Sequence, residues 1–295
     1  IKQLQADIAA LRIKLDDIKQ LQADITALQQ WSDKWLLRFH PEKCFVMRVG
    51  KSNCPPAHYK IGPEGQFNLK ETTAEKDVGV TFENDLSFGK HIQEKINKAN
   101  KVMGIIRKTF EYLDIDTFRQ LFQSLVRPVL EYANQIWCPH LKKHIIALEN
   151  VQRRASKLVP GLKELSYPDR LRKLDIPTLA YRRARGDMVE VYKILNSKGS
   201  YDKRVAHGLL KLSTTTTTRG HSFKLEKQRA HLDLRKYNFS LRVVDVWNNL
   251  PEDVVEAGSL NSFKHRLDKH WDSQPIKFDF TEDLIIKVKA GTLNK

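Results

Sequence analysis

Ile92-Gln-Glu-Lys-Ile-Asn-Lys-Ala-Asn-Lys-Val-Met-Gly-Ile-Ile-Arg-Lys108 is the stretch on which the fold turns. Its apolar residues, Ile92, Ile96, Ala99, Met103 and Ile106, with Phe110 beyond, recur at three or four positions, the period of one buried helix face. Lys95, Lys98 and Lys101 recur at spacing three on the opposite side, and Lys108 falls with them. Two more stripes of the same kind follow. Phe118, Leu121, Phe122, Leu125, Val129 and Ala133 form one, with Pro128 expected to kink its helix. Ile145, Leu148, Val151, Ala155, Leu158 and Val159 form the other, with Lys143, Arg154 and Lys157 together on its polar side. Residues 89–160 are therefore expected to be a helical domain.

Upstream the chain changes character. Ile1-Lys-Gln-Leu-Gln-Ala-Asp-Ile-Ala-Ala-Leu11 returns as Ile18-Lys-Gln-Leu-Gln-Ala-Asp-Ile-Thr-Ala-Leu28, so residues 1–35 read as a duplicated amphipathic helix whose stripe Trp31 and Trp35 continue. Isoleucine and leucine alternate along a short heptad seam, interrupted once because the repeat is 17 residues long. Either two copies of the chain pair through residues 1–28, or a single helix packs on its own domain. Over 36–88 the Pro55, Pro56, Gly62, Pro63 and Gly65 breaks suit short strands and turns, with Phe45–Val49 and Val78–Phe82 the strand candidates. Downstream, 161–212 reads as a basic helical region with a helix from about Thr178 to Asn196. Residues 213–295 are a mixed region holding a serine–threonine tract at Ser213–Thr218, short basic strands or loops, and a last helix with Phe263, Leu267 and Trp271. The class is α+β and mostly helical.

Charge narrows the function. Lys and Arg number 51 against 35 Asp and Glu, a net +16 that favours polyanionic partners. Thirteen of the cations and only six of the acids lie within 90–160. A solvated helix face usually mixes signs, so this face suits phosphate tracking. Residues 219–242 carry seven cations and two acids interleaved with His221, Phe223, His231, Tyr237 and Phe239, a pattern that fits single-stranded nucleic acid or a strand core. Three cysteines, Cys44, Cys54 and Cys138, fit a reducing compartment rather than a disulfide scaffold, and His40/Cys44 and Cys138/His140 lack the spacing of a zinc site. No apolar run nears the roughly 20 residues of a membrane helix, and no secretory leader is legible, so an intracellular protein is expected. Arg185-Gly-Asp187 lies within an expected helix and reads as a chance adhesion motif. No phosphate loop, Ser/His/Asp signature or metalloprotease helix is present.

Several stretches together resemble the reverse transcriptases of non-LTR (LINE-type, jockey-like) retrotransposons, from just after the catalytic aspartate pair to the chain end. They are Leu21–Leu28, Trp31-Ser-Asp-Lys-Trp35, Leu37-Arg-Phe-His-Pro-Glu-Lys-Cys44, Glu75-Lys-Asp-Val-Gly-Val80, and His91 followed by Lys98–Arg107. Leu125-Val-Arg-Pro-Val-Leu-Glu-Tyr132, Val151-Gln-Arg-Arg-Ala-Ser-Lys157, Leu179-Ala-Tyr-Arg-Arg183, Arg242-Val-Val-Asp-Val-Trp-Asn-Asn-Leu-Pro251 and Asn261-Ser-Phe-Lys264 complete the series. The resemblance implies a palm edge at 36–88, a primer-grip-like hairpin containing Lys76 and Gly79, and a thumb at 89–160. It also implies a palm lysine at Lys43, suited to neutralising a departing pyrophosphate. The nucleic-acid contacts it implies, together with the charge pattern, are Lys76, Gly79, Lys95, Lys98, Lys101, Arg107, Lys108, Lys143, Arg153, Arg154 and Lys157.

The same resemblance marks a departure. The family's catalytic carboxylates, which bind Mg²⁺, stand on an aromatic–Ala–Asp–Asp turn upstream of Trp31, where this chain has its duplicated helix. The only adjacent aspartates are Asp16 and Asp17, after Lys14-Leu15. The chain alone is accordingly expected to bind RNA or DNA template–primer in a sequence-tolerant way without polymerising, and to hold no cofactor itself. The alternative is a non-enzymatic coiled-coil scaffold with a basic surface.

Overall fold

The computed structural model describes residues 15–50, 57–196, 208–214 and 220–286. The first copy of the repeat, Cys54 and most of the serine–threonine tract lie outside them. Among the described residues the chain is mostly helical with three two-stranded sheets, an α+β protein of the expected balance. It divides into two compact units, Ile1–His91 and Ile92–Lys295.

In the first unit, helix α1 (Leu15–Lys34) is tied to strand β2 (Lys60–Ile61) by amides rather than by its apolar seam. The Gln22 side chain donates to the Lys60 carbonyl (3.0 Å) and accepts from the Lys60 N–H (2.8 Å), and Gln29 accepts from the Gly62 N–H (3.1 Å). Gln22, Gln29 and Ser32 therefore turn inward with Ile18 and Ile25. Leu21, Leu28, Trp31 and Trp35 stay 45–59% exposed, so the heptad seam is split between an inner and an outer face. β2 pairs antiparallel with β3 (Phe67–Asn68), and β1 (Phe45–Met47) pairs parallel with β4 (Lys70–Thr72). β5 (Ala74–Asp77) and β6 (Val80–Glu83) form a hairpin in register Asp77↔Val80. Val78 is thus not in a strand, as the apolar run suggests, but in the two-residue turn with Gly79. Both residues have positive φ, 43° and 80°, which is the turn geometry that matches strand twist. Glycine adopts it freely and valine does so under strain.

In the second unit, α2 (Gly89–Thr109) buries Ile92, Ile96, Ala99, Met103 and Ile106 as its period requires; Phe110 falls beyond the helix end and is exposed. The next helix runs α3 (Ile115–Leu121), a π-helical turn (Phe122–Val126), then α4 (Arg127–Glu131). The wide turn precedes Pro128 and delays the stripe, so the buried residues are Phe118, Phe122, Val126 and Leu130, while Leu125 is exposed. After α5 (Asn134–Trp137), α6 (Lys142–Ala155) and α7 (Tyr167–Leu174), the long helix α8 (Leu179–Asn196) becomes the axis of a core. Against it pack α10 (Phe239–Asn248) and α12 (Leu260–His270), with the short helices α9 (Asp233–Lys236) and α11 (Glu252–Val255) beside them. Trp247, Phe263 and Leu267 are wholly buried there, in one cluster that also holds Tyr181, Met188 and Val191. Residues on both sides of position 213 share this core.

Two buried carboxylates set how α8 sits. Asp187 accepts from two of the three guanidinium nitrogens of Arg242 (2.8 and 3.0 Å), and Arg242 also donates to the Gln135 carbonyl. Burial raises the Asp187 pKa, and the Arg242 cation opposes that rise. Arg242→Ala would leave this carboxylate buried without its partner and is expected to destabilise the fold by about 3–5 kcal/mol in urea unfolding. Arg242→Met with Asp187→Leu removes both charges and should cost much less. Equal losses in the single and double variants would show that the charge pairing is not what matters.

Candidate nucleic-acid interface

Helices α2 and α6 bury one side each, which obliges their polar residues to share the other. On α2, Lys98, Lys101, Arg107 and Lys108 are exposed, while Lys95 is half-buried with its ammonium 5.7 Å from the Tyr132 ring centre. On α6 and the turn that follows it, Lys143, Arg153, Arg154 and Lys157 are exposed. The two rows are joined directly, because an Arg154 guanidinium nitrogen donates to the Asn100 side-chain oxygen at 3.1 Å. Asn100 is next to Lys101 in the chain but about 100° from it around α2, and about 160° from Lys98, so the bond sets Arg154 against the flank of α2. Arg153 turns aside, with its guanidinium 5.4 Å from the Tyr167 ring centre.

What fixes the roll of α6 lies on its buried side. Glu149 is 1% exposed and accepts from the Tyr167 hydroxyl (2.7 Å) and from the Leu179 N–H at the start of α8 (3.1 Å). Gln152 donates to the Pro177 carbonyl at 3.0 Å. These bonds hold the helix so that its single carboxylate faces inward and its cations face water. None of Lys98, Lys101, Arg107, Lys108, Lys143, Arg153, Arg154 or Lys157 forms an ion pair among the described residues. Elsewhere arginines are matched: Arg182 with Glu131, Arg185 with Asp268, Arg242 with Asp187. A surface of unmatched cations raises the local concentration of phosphates; a paired surface does not.

The remaining sequence candidates sort differently. Lys43 ends a 3-10 turn (Pro41–Lys43) and is exposed, Lys76 is exposed on β5, and Gly79 is in the β5–β6 turn, all three in the first unit. Asp16 and Asp17 stand in the first turn of α1, not in a turn between strands. Of the aromatic residues in 219–242, His221 and Phe239 are buried, with the His221 ring edge-on to Trp247. A helix from Phe239, not a strand, accounts for that burial. The motif around Trp247 is a clasp: Trp247 donates to the Phe223 carbonyl, and the Asn248 amide bonds both the N–H and the carbonyl of Leu225. Arg185 and Asp187 of the apparent adhesion motif are both engaged in internal ion pairs. Cys44 and Cys138 are free thiols, and burial pushes the Cys138 thiol pKa up. Asn100, Glu149 and Tyr167 carry no sequence signal of their own, since a neutral side chain between lysines and one acid on a basic helix are ordinary in any amphipathic pattern.

No known family's profile matches the chain, and no solved structure does. Two curated proteins of Drosophila melanogaster are similar to it. The RNA-directed DNA polymerase from mobile element jockey is 25% identical over 140 residues, 45% of this chain and 14% of that protein. The probable RNA-directed DNA polymerase from transposon BS is 25% identical over 139 residues, 45% of this chain and 15% of that protein. The matched segment is about one-seventh of each relative's length. These likenesses support a reverse-transcriptase-related family. Among the described residues no helix is long and apolar enough to cross a membrane.

The Glu149 anchor gives a test of the geometry. Glu149→Ala, which strands the Tyr167 hydroxyl and the Leu179 N–H, should cost about 1–3 kcal/mol, whereas Glu149→Gln keeps an acceptor and should cost less. Burial raises the Glu149 pKa. A carboxyl raised on folding contributes stability that is complete below its unfolded value, roughly 4.3, and is lost as pH rises through the folded value. Over that interval the wild type should lose stability relative to Glu149→Gln in thermal melts; parallel curves would remove Glu149 from the account.

Proposed function

We propose that this chain is the C-terminal part of a non-LTR retrotransposon reverse transcriptase, with α2 to α6 acting as a thumb that grips template–primer nucleic acid by its phosphates. The observation that carries this reading is the row of unmatched cations on two helices joined by the Arg154–Asn100 bond. The likeness to the two mobile-element polymerases supports the same class of partner. Lysine and arginine stems lie along a helix while their charged ends reach phosphates, which suits recognition that ignores sequence. Lys43, Lys76 and Gly79 would serve the primer end. In the complete family enzyme Mg²⁺ assists the transfer; Asp16 and Asp17, in the first turn of a helix, do not fit the aspartate turn that holds it, and no catalytic step is assigned to these residues.

With about four to six phosphates engaged, log K for a hybrid duplex should fall with log salt at a slope of roughly −4 to −5. Changing Lys98, Lys101, Arg154 and Lys157 to Gln should weaken binding evenly across sequences and make the slope shallower by roughly 0.9 for each phosphate no longer neutralised. Helicity should hold, because Gln is a comparable helix former. The control changes Lys19, Lys34, Lys173 and Lys269 to Gln, four exposed cations with no ion pair among the described residues. An equal fall in affinity for both sets would mean that net charge alone binds.

A second reading, the scaffold, rests on the outer half of the α1 seam, where Leu21, Leu28 and Trp35 repeat at seven-residue spacing and stay exposed. Homodimerisation through this face predicts a dimer in sedimentation that Leu21→Gln with Leu28→Gln converts to a monomer. A wild-type monomer at tens of micromolar would dismiss it.

A further inference from the structure

Beyond the cation row, one aromatic step on the second unit has no role in the core. Burial takes His221 and Phe239 out of the basic stretch 219–242, but Tyr237 stays at the surface, 37% exposed. Its ring stacks flat on His140, 97 positions earlier, with centres 4.6 Å apart and planes 8° from parallel. Cations surround the step. The Lys236 ammonium lies 5.3 Å from the Tyr237 ring centre, and Arg235 donates to the Gln228 side chain at 3.0 Å. Lys142 and Lys143 follow His140 at the start of α6 and are exposed. None of these four cations forms an ion pair among the described residues; Asp233 is the one acid on α9.

Helix α6 links this step to the proposed duplex surface. Lys143 and Arg154 share a polar face eleven residues apart, about 16 Å along the axis at roughly 1.5 Å per residue. That is near the length of five stacked nucleotides at roughly 3.4 Å each. The only acid of α6, Glu149, is buried, so no carboxylate interrupts the path. A flat ring pair beside unmatched cations offers a π-face for a base and charge for its phosphate, the chemistry that holds single strands without reading sequence.

We propose that His140 and Tyr237, with Lys142, Lys143 and Lys236, form a stacking platform for the single strand that continues from a duplex held at Lys98, Lys101, Arg154 and Lys157. The proposal rests on the duplex reading above, and extends it to a second surface with a different preference. Lys236 can exchange its ring contact for a phosphate as a base settles on the step.

The test measures anisotropy of the full chain with a blunt hybrid duplex, the same duplex with an overhang of about six nucleotides on either end, and a free single strand. One overhang should tighten wild-type binding by about five-fold or more, the effect of one stacked base. His140→Gln with Tyr237→Leu should erase that gain while blunt-duplex affinity stays unchanged. Because this pair also removes packing between the two rings, Lys142→Gln with Lys143→Gln provides a second probe that leaves the rings in place. It should shrink the overhang gain and reduce the salt slope by roughly 0.7 for each single-strand phosphate released. An overhang that adds nothing, a gain that survives the ring variant, or competition by polyglutamate as strong as by single strand would overturn the platform. Single-strand binding that needs Tyr237, without any duplex binding, would instead overturn the duplex reading and leave the platform standing.

Discussion

A carboxylate taken out of water needs a partner that goes with it, and α8 obeys that demand twice. Asp187, on its middle turns, is closed off by Arg242 from α10, which draws Gln135 of α5 into the same cluster. At its N-terminus the Leu179 N–H points at Glu149 of α6, while Thr178 caps the helix and donates to the Ile276 carbonyl. Four segments, α5, α6, α10 and the chain near Ile276, thereby take their positions from one helix. The apolar cluster around Trp247, Phe263 and Leu267 supplies the driving force, because burying such side chains contributes roughly 1.5–3 kcal/mol each. The polar contacts decide which of many similar packings is adopted.

The same demand shapes the surface. Acids are turned inside, as with Glu149 and Asp187, or matched to neighbouring arginines, as with Glu131 and Asp268, and this leaves the outer face of α6 with cations and no exposed acid of its own. The basic surface of α6 is thus partly a product of core architecture: the one acid of α6 is the residue that anchors its roll. Arg154 serves both ends, since one hydrogen bond to Asn100 registers two helices while its charge remains available.

In the first unit amides take the place that ion pairs hold in the second. Gln22 and Gln29 complete the hydrogen bonding of the chain at Lys60 and Gly62, so a helix packs on a strand edge that would otherwise present bare N–H and carbonyl groups. The consequence is an α1 whose Ile18 and Ile25 face inward and whose Leu21, Leu28, Trp31 and Trp35 face outward. The β5–β6 hairpin places Val78 and Gly79 at a tip with both residues in the left-handed region.

Much of this was legible in the residues. The period of Ile92 to Ile106 stated a helix, its inner face and the side on which Lys98 and Lys101 stand, because 3.6 residues per turn leaves one solution for such a pattern. The basic surplus on α2 and α6 was equally plain, since charge is a property of composition. Other features needed the folded chain. A strict stripe could not foretell the π-helical turn at Phe122–Val126, which moves burial from Leu125 to Val126. Nor could pattern tell His221 and Phe239, which are core, from Tyr237, which is surface, because all three alternate with cations in the same short stretch. The pairings Arg154 with Asn100, Asp187 with Arg242, and His140 with Tyr237 join residues 54, 55 and 97 positions apart. Periodicity reports only which side of its own helix a residue occupies; which other helix meets that side is settled when buried charge and buried area are satisfied together.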